Sequence, residues 1–391
     1  MYDFDTVYDR KCSNSVKHAF HGDHGYSEDV IPMWVADMDF KSPPVVAEHV
    51  RRAAEHGFFG YAGEKKEYFE ALHNWYLTRH NWDIKKEWIT RTPGVICGVA
   101  AAVRALTKKG DAMIIMQPVY PAFAGVAAAN ERKLVKHQLI IGEDRRFHVD
   151  FELLEQQIVE EDVKLMVLCS PHNPGGRVWT LDELKKFAEI CLKHDLYLIA
   201  DEIHHDLVYP GEKHTVFATV DPEMQQRCVI CTAPSKTFNL AGLQTSNIII
   251  PNAEMRDRFQ KELGELFVGA NNMISIECCR VAYESGASWL DELMDYVKGN
   301  LELVESFLAE KLPEVRMVRP QGTYMVWLDM TSLKMDHEKL QQFLIHEAKV
   351  WLLDGSGYGD DKEGWVRMTI GCPRSIVQEA LERIEKAIHK A

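Results

Sequence analysis

The sequence predicts an α/β protein in which a large domain, with a mostly parallel central sheet flanked by helices, is joined to a smaller α+β domain. Apolar runs such as DAMIIMQP, KLMVLCSP, LYLIADE and RCVICTA each end in a polar or proline-containing turn. Amphipathic segments separate most of them, which is the alternation of buried strands and covering helices that a parallel sheet requires. From about Ile274 the pattern changes to a long helical stretch, ECCRVAYES and then WLDELMDYVKGNLELVESFLAEKL, interrupted near Gly286.

In chain order, residues 1–45 read as an N-terminal arm of loops serving the small domain and the active site. Residues 46–285 form the large domain, and 286–391 the small C-terminal domain, joined to it by the long helix. Beyond Pro313 the runs VRMVRP, GTYMVWLDM, KVWLLDG and GWVRMTI read as strands, with HEKLQQFLIHEAK and SIVQEALERIEKAIHK as helices.

The 391 residues are 46% apolar and 27% charged, which excludes disordered and fibrous classes. A net charge of −14 has the wrong sign for a general binder of nucleic acid or anionic membrane, so a small-molecule substrate is expected. No apolar run approaches the roughly 18 residues of a spanning helix. The start, MYDFDTVYDRKC, has no apolar core of the signal-peptide kind, so the expected compartment is the cytoplasm. Nine cysteines scattered through apolar stretches fit buried thiols in a reducing compartment. Cys228 and Cys231 form a CxxC within a strand, where positions three apart point to opposite faces, so a metal or redox pair is not expected there.

In an open parallel sheet, ligands bind beyond the carboxyl ends of the strands. After Thr92, Pro93 and Gly94 an Ala-rich helix begins, aiming free N–H groups and a helix dipole at one point, where an anionic phosphate would sit well; most such junctions bind nothing. Tyr120 stands in PVYPAF, either to cover a flat heteroaromatic ligand or simply to pack. Asn173 in SPHNPGGRV is either a tight-turn residue or an amide donor to a ring oxygen. Asp201 either caps a following helix or pairs with a protonated ring nitrogen, turning that ring into an electron sink. Lys236, flanked by Ser235, Thr237 and Asn239, is a candidate for a carbonyl adduct. Together they supply phosphate, stacking, oxygen, nitrogen and aldehyde partners at the ends of one sheet. His18, His21 and His24 and the pair His204 and His205 have metal-like spacing, but no carboxylate pattern supports them and no metal is expected.

These residues resemble the fold-type-I pyridoxal-phosphate enzymes, marked by Asn173 in an xxNPxG turn, Asp201 some 28 residues later and the Ser235–Lys236 pair beyond. The wording IPMWVADMDF, FGYAG, TPGVICGV, SPHNPGGRVW, ADEIHHDL, APSKTFNLAGL and WVRMTIGCPR is similar to the MalY/PatB-type cystathionine β-lyases over nearly the whole chain. The resemblance implies an aspartate-aminotransferase-like fold and pyridoxal 5'-phosphate as cofactor. It implies that Lys236 holds the cofactor, that Val95 and Ile96 N–H groups and Ser235 hold the phosphate, that Tyr120 stacks on the ring, and that Asn173 and Asp201 meet the ring hydroxyl and nitrogen. Tyr61 would reach the phosphate across a homodimer, and Arg367 would bind the substrate α-carboxylate in a pocket walled by Trp34, Tyr324 and the arm around Asp37.

Two departures from many aminotransferases in the superfamily bear on the reaction. Gln244 stands eight residues after the lysine in place of arginine, and His204 stands three after Asp201 in place of tyrosine. Both favour β-elimination from cystathionine or a related cysteine S-conjugate, giving a thiol, pyruvate and ammonia. An aminotransferase would share every cofactor residue, and a regulator acting through a protein partner would keep the fold.

Overall fold

The computed structural model describes residues 1–269, 272–360 and 362–390. Its centre is a seven-stranded sheet in the spatial order Ile89–Thr92, Ser246–Ile249, Cys228–Thr232, Tyr197–Asp201, Val163–Cys169, Ala112–Gln117, Lys133–Gln138. Ser246–Ile249 runs antiparallel to both neighbours and the other pairings are parallel, so the sheet is mostly parallel as the sequence predicts. The apolar runs form its interior: every residue of Ala112–Gln117 and of Cys228–Thr232 is buried, whereas the edge strand Lys133–Gln138 is exposed at Lys133, Lys136 and Gln138.

Strand alternation divides the core into two faces. Ile114, Met116, Met166, Leu168 and Leu198 join one cluster, and Met113, Ile115, Leu165, Val167 and Ile199 the other. Cys228 lies in the first cluster and Cys231 in the second, so the two thiols point to opposite faces, and all nine cysteines are free. The helix Leu181–Lys193 covering the sheet opens with a capping box: Thr180 Oγ1 accepts the Glu183 N–H, and the Glu183 carboxylate accepts the Thr180 N–H.

The first cluster continues into a second, antiparallel sheet ordered Arg316–Val318, Met325–Asp329, Trp365–Thr369, Leu353–Asp354. The helices Met273–Ser285 and Ala287–Lys311 meet at Gly286. A Cβ there would lie 2.5 Å from both the Ala282 carbonyl oxygen and the Phe238 ring, so glycine lets the loop carrying Phe238 pack against the helix break.

Two elements differ from the sequence expectation. KVWLLDG is not one strand: Val350–Trp351 pairs in parallel with Ile31–Pro32 of the arm, and Leu353–Asp354 then pairs with the strand Trp365–Thr369. The arm supplies a pairing partner that no local pattern announces. HEKLQQFLIHEAK begins as an α-helix over His337–Gln342 and widens to π-type turns over Phe343–Glu347. No helix among the described residues is long and apolar enough to cross a membrane.

Candidate active site

A cavity of about 650 Å³ lies at the carboxyl ends of the parallel strands, between the central sheet, the arm and the second sheet. Val95, Ile96, Tyr120, Asn173, Asp201, His204, Ser235, Lys236, Arg367 and Trp34 all line it, so the structure brings together residues spread over more than 300 positions.

At one end the helix Val95–Leu106 begins at the cavity wall with no side chain capping it. Its first N–H groups and positive dipole end are therefore available to an anion. Thr92 Oγ1 donates to the Gly94 carbonyl at 2.9 Å and meets Ser246 Oγ at 2.6 Å, holding the turn. A Cβ at Gly98 would come within 2.4 Å of Ile248, so glycine lets this helix lie close on the sheet and sets the position of its N-terminus.

In the middle, Lys236 Nζ donates to the Ala36 carbonyl at 2.5 Å, and the Tyr324 hydroxyl donates to the same oxygen at 2.9 Å. Burial, with Arg367 adding to it, lowers the Lys236 pKa to about 8 against the opposing pull of Asp37 and Asp201. Burial raises the Asp201 pKa to about 7, even though its Oδ1 accepts the Ile203 N–H at 3.1 Å. This hydrogen bond closes a turn, since residues 202–207 form no helix for Asp201 to cap. His204 is buried with Nδ1 unpartnered, and burial followed by the charges of Lys236 and Arg367 keeps its ring neutral.

At the other end Arg367 is buried on the strand Trp365–Thr369. Nη1 donates to Asn173 Oδ1 at 3.1 Å and Nη2 to the Trp34 carbonyl at 3.0 Å, while the guanidinium lies over the Tyr358 ring at 5.5 Å. Its Nε is a buried donor with no partner. A carboxylate is the natural counterpart of such a group.

The residues present fit pyridoxal 5'-phosphate. The uncapped helix end and Ser235 suit a phosphate, and the Tyr120 ring borders the cavity. Because Asn173 Oδ1 is taken by Arg367, its amide is oriented with Nδ2 left to donate. Asp201, destabilised as an anion by burial, is suited to a cationic ring N–H.

Two residues named from the sequence lie elsewhere. Tyr324 stands behind Ala36, its ring 6.3 Å edge-on from His204, and does not line the cavity. Tyr61 is fully exposed in the 57–65 segment, outside the cavity of this single chain.

Sequence reasoning missed the groups that fix the arm. Asn239 Nδ2 donates to the Met38 and Phe40 carbonyls, each at 2.9 Å, and Asn239 Oδ1 accepts the Met38 N–H at 3.0 Å. Arg10 pairs with Asp37 at 3.0 Å and with Asp39 at 2.5 Å, and buried Lys17 meets Asp39 at 2.7 Å. Asn239 is a polar residue three after the lysine, but its partners are some 200 positions away. Tyr358 beneath Arg367 carried no signal.

The histidines separate. His18 bonds Asp39 at 2.8 Å, and the His21 ring meets the His18 carbonyl. His205 turns from the cavity to the Glu202 carbonyl at 2.6 Å. His80, His205 and Asp206 are the metal-type ligands that converge among the described residues, and Asp206 already accepts from Trp75, His80 and Thr237 at 3.0, 2.8 and 2.8 Å.

The family model for aminotransferase class I and II matches residues 28–384. Cystathionine beta-lyase PatB of Bacillus subtilis (strain 168) is 38% identical over 385 residues, covering 98% of this chain and 99% of that protein. Protein MalY of Escherichia coli (strain K12) is 33% identical over 390 residues, covering 99% of each. The crystal structure of cystalysin from Treponema denticola, which contains a pyridoxal 5'-phosphate cofactor, aligns with a TM-score of 0.95 at 38% identity, over 100% of this chain and 99% of that one.

Proposed function

The chain belongs to the aminotransferase class I and II family, and from that premise we propose that it is a pyridoxal-5'-phosphate-dependent carbon–sulfur β-lyase, acting on cystathionine or related cysteine S-conjugates. The observation that carries this reading is one cavity holding Lys236 between buried Asp201 and Arg367, with Gln244 and His204 in the places where many aminotransferases carry arginine and tyrosine.

When bound, pyridoxal 5'-phosphate supplies an electron sink for negative charge developing at the substrate α-carbon. Val95 and Ile96 N–H groups with Ser235 would hold the phosphate, Tyr120 would cover the ring, Asn173 would donate to its oxygen, and Asp201 would keep the ring nitrogen protonated. Arg367 forks onto the substrate α-carboxylate, which aims the α-hydrogen. Lys236 would hold the cofactor and, once the substrate's amino group has displaced it, take that proton; a pKa of about 8 lets a useful fraction of its free amine be unprotonated near neutral pH. The β-thiolate then leaves and takes up a proton, and the remaining three-carbon fragment takes up water to end as pyruvate and ammonia. Trp34, with the arm around Asp37, walls the substrate end, and Tyr324 supports that wall from behind through the Ala36 carbonyl.

The active form in this reading is a homodimer in which Tyr61 reaches the phosphate of the partner's site; the exposed aromatic side chains Phe58, Phe59 and Tyr61 support it. Free, mostly buried thiols support a cytoplasmic location. The test is thiol release from cystathionine by the cofactor-loaded protein with and without 2-oxoglutarate. Equal rates are expected, and a requirement for the acceptor would make the protein an aminotransferase instead.

A further inference from the structure

We propose that the sulfur substituent is recognised by an aromatic wall centred on Trp34, so that the preferred substrates are cysteine conjugates whose sulfur carries an uncharged aromatic group, ahead of cystathionine with its charged distal end. The proposal rests on the lyase reading of the same site.

Arg367 fixes the direction. Its Nη2 donates to the Trp34 carbonyl at 3.0 Å, and Leu353 is its cross-strand partner. Trp34 and Leu353 both line the cavity, so both stand beside the place where the α-carboxylate docks. The sulfur of a cysteine conjugate is two bonds from the α-carbon, about 3 Å, and its substituent therefore starts within reach of these side chains.

Trp34 is a prepared surface. Its ring stacks on Trp351 with centroids 4.3 Å apart and planes at 17°, and Trp351 meets Tyr26 edge-on at 4.8 Å and His24 at 5.0 Å. Trp34, Trp351 and Tyr26 form with Val30 and Ile345 a satellite cluster separate from the two faces of the main sheet. The indole N–H is buried without a partner, so ring contacts hold Trp34 rather than a hydrogen bond. A rigid aromatic face of this kind binds another ring at little entropic cost.

Charge points the same way. Lys236 and Arg367 are the lysine and arginine lining the cavity among the described residues; both have assigned tasks, and His204 is kept neutral. A second carboxylate drawn against this wall would lose water without gaining a cation, which is unfavourable. The segment FFGYAG, which the proposed homodimer would bring to the site, is aromatic and carries no charge.

The experiment compares kcat/KM for S-benzylcysteine, S-methylcysteine and cystathionine in the wild type, Trp34→Ala and Trp34→Phe. The wild type is expected to favour S-benzylcysteine over cystathionine by about tenfold or more. Trp34→Ala is expected to cut the benzyl-to-methyl ratio about tenfold, and Trp34→Phe to restore most of it. A wild-type preference for cystathionine, or a benzyl-to-methyl ratio that Trp34→Ala leaves unchanged, overturns the proposal. If no conjugate yields pyruvate, the lyase reading has failed. The wall is then judged by dissociation constants, followed through the visible absorbance of the bound cofactor: a benzyl preference supports it, and equal constants sink it.

Discussion

The two ends of the cavity are built differently. The cofactor end, from Val95 and Ile96 through Asn173 and Asp201 to Ser235 and Lys236, consists of residues at or just beyond strand ends, each placed by a short turn on a rigid sheet. The substrate end is assembled at long range: the Trp34 carbonyl is held by Arg367 from 333 positions away, and the Ala36 carbonyl by Lys236 and Tyr324 from 200 and 288 away. In the proposed reading, local turns set the reaction type and long-range packing sets what fits. Damage to the first end should abolish chemistry, whereas damage to the second should weaken or redirect binding.

The largest effect is expected from Lys236→Ala. Losing both the cofactor anchor and the base should lower turnover by about 10³-fold or more, with the circular dichroism of the fold retained and the visible absorption of the lysine-bound cofactor gone. Retention of that absorption would break the contrast at its strongest point. Next comes Arg367→Lys, which keeps the charge but loses the planar fork: kcat/KM should fall about 10- to 100-fold, mainly through KM. A fall confined to kcat would mean that the substrate end does more than bind.

Asn239→Ala tests the clip between the two ends. Freed of three hydrogen bonds to Asn239, the arm should raise KM by about tenfold with a smaller change in kcat, and hydrogen exchange over residues 33–40 should quicken. Unchanged exchange there would show that the ionic contacts of Arg10 and Lys17 suffice.

The smallest effect concerns stability without cofactor. The Asp201 pKa is raised on folding to about 7, so the folded chain holds its proton more tightly than the unfolded chain. That contribution is full below the ordinary carboxylate pKa of about 4 and is lost as pH rises to about 7. Asp201→Asn should remove this loss, leaving the variant more stable than wild type at pH 8 by on the order of 1–3 kcal/mol in denaturant melts. Parallel pH profiles for the two proteins would show that Asp201 is not destabilised by its site.

The same division decided what could be read from the sequence. Interior strands such as Ala112–Gln117 and Cys228–Thr232 are continuous apolar runs, and Asn173, Asp201 and Lys236 stand at or within four residues of their strand ends, so sheet and cofactor end were legible together. The opposite placement of Cys228 and Cys231 followed from strand alternation. Trp34 and Arg367 could be named only by resemblance, because nothing local ties one to the other. The pairing of Ile31–Pro32 with Val350–Trp351, the Asn239 clip and Tyr358 beneath Arg367 are contacts between distant segments, and a single sequence carries no register for them.

The most direct measurement is the amount of pyruvate formed per active site from a cysteine S-conjugate, with the cofactor-loaded protein and no 2-oxo acid present. Many turnovers per site are expected, with thiol and ammonia appearing in equal amounts. A single product per site, with the reaction stalled until 2-oxoglutarate is added, would contradict the β-lyase reading and place the chemistry with transamination.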